Sequence, residues 1–164
     1  MLQPLVRRTW APQGQTPVMN SWDRHDRLSV IAGLSVSARR RRIGLYFAVH
    51  EHNITAEEAE AFLRAVERRL RRPLIVVLDR WSVHRKAAKA LVGDERFQVE
   101  WLPPDAPDLN PVEFVWDHTK YGDLANYVPD DLADLREETT DSVAQTRRRP
   151  QLLRSFFHSA QLKM

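Results

Sequence analysis

LIVVLD, residues 74–79, and WLPPDAPDLNPVE, residues 101–113, are the two stretches on which the fold of this chain turns. The first is a short, wholly apolar, β-branched run closed by an acid, which reads as a central strand buried on both faces with Asp79 projecting from its end. The second begins as the end of a strand, since Phe97, Val99 and Trp101 alternate with polar neighbours. It passes through a proline-rich loop and opens a helix, with Asn110 as N-cap, Pro111 in the first position and Glu113 in the first turn. Each stretch therefore delivers one carboxylate to the end of a strand or the start of a helix.

Working outward, the segment between these stretches predicts a short helix with Ala87, Ala88, Leu91 and Val92 apolar and Gly93 as its stop. Upstream, Thr55 and Glu58 form a capping box, and Ala59, Phe62, Leu63, Val66 and Leu70 recur at helical spacing until Pro73. Before that helix, 28–36 and 43–50 are two β-rich runs joined by a polar turn, which suits an antiparallel pair. Residues 6–16, interrupted by Pro12 and Gly14, read as an edge strand and turn. Downstream, the Asn110 helix is expected to run through Trp116 and Lys120 to about Asn126. A second helix follows over 130–146, and Pro150 opens a last one. This order predicts an α/β (α+β) fold, a mixed β-sheet with helices on both faces, and one domain over 1–164. Ribonuclease-H-like topology is one such order.

Composition narrows the function classes. With 43% hydrophobic and 29% charged residues, the 164-residue chain is globular in character. The absence of cysteine excludes disulfides, thiolate metal sites and a cysteine nucleophile. No run is long and apolar enough to predict a membrane span, and the reading expects no membrane partner. Net charge is only +3, but arginines cluster at 39–42, 68–72 and 147–149, a pattern that serves phosphate binding or an ordinary solvated helix face equally well. There is no phosphate-binding glycine loop and no nucleophile elbow, and the histidines show no metal-ligand spacing.

Asp79 and Glu113 carry what chemistry there is. Ligands collect at strand ends, and carboxylates meeting there hold hard Mg²⁺ or Mn²⁺ through oxygen. A pair of such ions about 4 Å apart clamps the attacking and leaving oxygens of an in-line phosphoryl transfer. Read singly, Asp79 is as well explained as a turn former, Glu113 as the partner of Asn110 in a capping box, and His84 as a helix cap or a phosphate contact.

Read together, LIVVLD, His84 and WLPPDAPDLNPVE, with Trp116 and Lys120 beyond, closely resemble the catalytic domain of DDE transposases, in the bacterial insertion-sequence branch allied to mariner. In that family the second acid ends a strand and the Glu lies in a proline-rich L-N-P-x-E motif. The resemblance implies a ribonuclease-H-like fold, Mg²⁺ or Mn²⁺ as cofactor, and DNA as partner and substrate. It also implies strand cleavage and transfer in DNA transposition. It makes Asp79 and Glu113 the catalytic and metal-binding pair, with Asn110 and His84 in support and Arg80, Arg85, Lys86 and Lys120 toward DNA. Arg80 stands where the family usually has Asn, and Asp105 where an aromatic residue or Ser is common.

Residues 7–17 resemble the segment after the family's first strand, so the first acid of the triad is expected upstream of Met1, together with an N-terminal helix-turn-helix region. No acid precedes Asp23, and Asp23 and Asp26 fall in a loop. The chain is therefore expected to be an inactive truncation, arising from an internal start or a decayed element. Its residual role would be to bind DNA or to pair with itself or with full-length transposase, in the bacterial cytoplasm and on the nucleoid when DNA-bound. A structure-specific nuclease on the same fold is the third reading.

Overall fold

The computed structural model describes residues 7–8, 10–15, 18 and 27–163. β1 (Ser29–Val36) and β2 (Ile43–His50) form an antiparallel hairpin in which Ile31 pairs with Ala48, Ala32 with Phe47 and Leu34 with Leu45. Because side chains alternate between faces, this register sends Ile31 and Ala48 to one side and Ala32, Leu34, Leu45 and Phe47 to the other. The first side packs with Ile54, Ala59 and Ala87, and the second with Val115, Val143, Leu153 and Phe156. The hairpin is thus covered on both faces by helices. Its turn is closed by Ser37 N–H donating to the Arg42 carbonyl at 2.9 Å, with Arg40 in the left-handed region at φ 54°.

The helix on the first side, α1 (Ala56–Leu70), starts at the predicted capping box: the Thr55 hydroxyl accepts from Glu58 N–H, and Glu58 Oε2 accepts from Thr55 N–H at 2.8 Å. It ends at Arg71, left-handed at φ 55°, just before Pro73. β3 (Leu74–Leu78) and β4 (Phe97–Trp101) then form a parallel pair in register Leu74 with Phe97 and Leu78 with Trp101, linked by α2 (Ser82–Ala90) packed on α1. A short 3₁₀ turn (Pro107–Leu109) leads into α3 (Pro111–His118), followed by α4 (Leu132–Arg147) and α5 (Pro150–Ser159).

The fold is the expected mixed α/β arrangement of the ribonuclease-H-like kind, with its strands in two two-stranded sheets. Three local expectations change. β3 is not buried on both faces: Leu74, Val76 and Leu78 turn inward, whereas Ile75 and Val77 are 69% and 57% exposed, because no described element covers that side of the pair. Val92 is exposed and lies beyond the end of α2, so the apolar face of that helix stops at Leu91.

The Asn110 helix does not continue regularly to Asn126. It gives way at Thr119–Asp123 to a wider turn in which Leu124 N–H donates to the Thr119 carbonyl, five residues back, at 2.8 Å. Buried Thr119 and the Ser142 to Asp123 hydrogen bond at 2.7 Å pin this turn against α4. Of the predicted strand over 6–16, the described residues form only the turn, closed by Gln15 N–H donating to the Pro12 carbonyl with Gly14 at φ 81°. Residues 7, 8, 10 and 11 are in no strand, so the expected edge strand is not found among them, and residues 6, 9 and 16, like Asp23 and Asp26, lie outside the described residues. No helix among the described residues is long and apolar enough to cross a membrane.

Candidate active site

Parallel pairing brings the C-terminal ends of β3 and β4 side by side, locked by Leu102 N–H donating to the Leu78 carbonyl at 2.8 Å. Asp79 is the first residue beyond β3. Its Oδ1 accepts from Trp81 N–H at 2.9 Å and from His84 Nδ1 at 2.6 Å. An ionised carboxylate only accepts, so the His84 proton sits on Nδ1. The His84 hydrogen bond is the main cause holding the Asp79 carboxyl below its usual range, with burial opposing and the Trp81 N–H adding. The turn-forming role predicted for Asp79 is therefore real, yet it occupies one oxygen and leaves Oδ2 without a partner among the described residues. His84 neither caps α2, whose N-cap is Trp81, nor stands alone. It clamps Asp79 while its ring meets the Trp81 indole edge to face at 5.3 Å.

Glu113 comes from a different element, the first turn of α3. The loop after β4 ends at Asn110, whose side-chain oxygen accepts from Val112 N–H at 3.2 Å, while its backbone carbonyl accepts from Glu113 N–H at 3.0 Å. No capping box forms: the Glu113 carboxylate makes no hydrogen bond or ion pair among the described residues, so a capping role does not account for it. Burial raises its pKa, the negative charge of Asp79 raises it further, Lys120 opposes and Asp117 adds to the rise. The two acids thus act on one another through space although they come from different elements. Lys120, on the wide turn after α3, belongs to the same electrostatic neighbourhood.

The basic residues separate. Arg80 Nε reaches the Leu102 carbonyl at 3.3 Å, bridging the ends of β3 and β4. Arg80, Arg85 and Lys89 line a groove floored by Phe97 and Trp101. Lys86 instead lies within electrostatic reach of Glu57 on α1.

Over residues 1–136 the chain matches the family model described as DDE superfamily endonuclease. The chain belongs to that family. The match takes in all four strands, α1 to α3 and the first residues of α4, and leaves α5 outside. DDE endonucleases of this transposase type act on DNA and depend on divalent metal. Neither a curated protein nor a solved structure matches the chain.

Sequence reasoning missed one grouping. His50 and His52 converge on Glu58, away from the strand-end acids. The signal available was a His-x-His step at a strand end followed by a capping-box Glu, whose side chain folds back toward its own N-cap.

Proposed function

We propose that Asp79 and Glu113 together hold a divalent cation, Mg²⁺ or Mn²⁺, in a site of DNA strand cleavage and transfer of the transposition type. The observation that carries this reading is the placement of Asp79 directly after β3 in the parallel β3–β4 pair and of Glu113 in the first turn of α3, with Glu113 pushed upward by its burial and by the charge of Asp79. Two half-buried like charges with oxygens to spare form a donor set suited to a hard cation. Bound there, such an ion supplies Lewis-acid stabilisation and activates the attacking oxygen.

The chain's own groups do the positioning. His84 fixes the rotamer of Asp79 so that Oδ2 is presented outward, and Asn110 fixes the first turn of α3 and with it Glu113. Lys120 offsets negative charge at Glu113. Arg80, Arg85 and Lys89 take phosphate oxygens along the groove, and the exposed Trp101 indole suits an unpaired base.

We further propose that the catalytic unit is completed by a strand other than β1–β4. Among the described strands only β2 and β3 are followed directly by an acid, and Glu51 after β2 is committed to Arg136 at 2.8 Å. A two-stranded parallel sheet with Ile75 and Val77 uncovered supports the same reading. We propose that the 164-residue chain binds DNA, alone or paired with a full-length transposase, without cutting it. Incubation of labelled duplex with this chain and Mg²⁺ or Mn²⁺ should leave both strands whole. Metal-dependent cleavage abolished by Asp79→Ala would mean that the described acids already form a working centre.

A further inference from the structure

We propose that His50, His52 and Glu58 form a second cation site, suited to a borderline transition-metal ion of the zinc class and separate from the strand-end acids. His50 is the last residue of β2, His52 lies two residues on in the connection to α1, and Glu58 is in the first turn of α1. Their ligand atoms all lie within 4.8 Å of one another. His50 Nδ1 and His52 Nε2 both approach the same oxygen, Glu58 Oε1, at 3.2 and 2.7 Å.

A tetrahedral centre with bonds of about 2.0–2.2 Å sets neighbouring ligand atoms about 3.3 Å apart. The His50 pair already has that spacing. His52 has to withdraw by about half an ångström to reach it, and its side chain, 63% exposed on a loop, is free to do so.

Two features make this more than a chance cluster. The capping box holds Glu58 Oε2 on Thr55 N–H, which turns Oε1 toward the imidazoles before any ion arrives. Glu51, the remaining acid of the connection, faces away to Arg136, which leaves the coordination set as two imidazoles and one carboxylate. Imidazole nitrogen selects zinc-class ions over Mg²⁺, which prefers oxygen and keeps its water. An ion here would staple the end of β2 to the first turn of α1.

The test is a competition titration of the full chain with Zn²⁺ against a chromophoric chelator, paired with thermal melting with and without Zn²⁺. One tightly bound equivalent and a Zn²⁺-dependent rise in Tm are expected. His52→Ala, at an exposed position that leaves the fold intact, and His50→Ala should each weaken binding at least about tenfold and remove the Tm rise. Asp79→Asn with Glu113→Gln, and His158→Ala on α5, should leave both readouts unchanged. Absence of a bound equivalent, affinities of the His50 and His52 variants within twofold of the parent, or loss of binding in the Asp79/Glu113 variant instead, would each overturn the proposal.

Discussion

At the residue scale, His84 and Asp94 show how single side chains are set by their partners. His84 hydrogen-bonds the Asp79 carboxylate, and on the proposed function it serves as a positioning residue. His84→Ala should leave the far-ultraviolet circular dichroism unchanged and weaken Mn²⁺ binding about 10- to 100-fold, the usual cost of losing the group that orients a ligand. His84→Asn, whose amide nitrogen takes the place of Nδ1 and can donate to Oδ1, should recover part of that loss. Asp94 accepts from Arg96 and from Arg64 of α1, at 2.7 and 2.8 Å, and joins the end of α2 to α1 and β4. Its carboxyl is held well below the ordinary range, by Arg96 first and Arg64 second. A depressed folded-state value means that its stabilisation is present above the unfolded value, about 3.9, and is lost as pH falls below that toward the folded value. Urea midpoints measured from pH 7 down to 2.5 should fall in the parent below about pH 4 and fall less steeply in Asp94→Asn.

At the element scale, what was legible in the sequence is what depends on local pattern. The Thr55 capping box, the stop at Pro73, the hairpin over residues 28–50 and the Asn110-Pro111 helix start are fixed by neighbours within a few positions, and all appear. What was not legible depends on partners distant in the chain. LIVVL reads the same whether one or both of its faces are covered, so the exposure of Ile75 and Val77 could not be read from composition. The clamp of His84 on Asp79 needs the turn geometry after β3, and the widened turn after α3 needs Ser142 of α4. Neither leaves a periodic trace. Leu45 and Ile75 make the packing difference measurable. Leu45→Ala removes a side chain 1% exposed at the centre of the larger core and should cost about 2–5 kcal/mol in urea unfolding. Ile75→Ala, on the open face of β3, should cost less than about 1 kcal/mol. Equal costs would show that the β3 face is buried in solution.

At the scale of the whole molecule, the chain belongs to a family of endonucleases acting on DNA, and the proposed site lies where the parallel strands β3 and β4 end. DNA held there through Arg80, Arg85 and Lys89 should be bound with little regard to sequence and with strong salt dependence, log K falling by about 0.9 per phosphate contact for each decade of salt. Arg85→Ala should weaken binding to unrelated duplexes alike and lower that slope by about one contact. A sequence-selective loss would assign Arg85 to base reading instead. The central claim is that Asp79 and Glu113 share a cation, and Mn²⁺ titration followed by electron paramagnetic resonance tests it most directly. Carried out in a His52→Ala background to silence the second cluster, the parent should bind Mn²⁺, and Asp79→Asn and Glu113→Gln should each reduce binding at least about tenfold. The double variant should be little worse than either single one, because the two acids serve one site. Mn²⁺ binding that survives both substitutions unchanged would contradict the account.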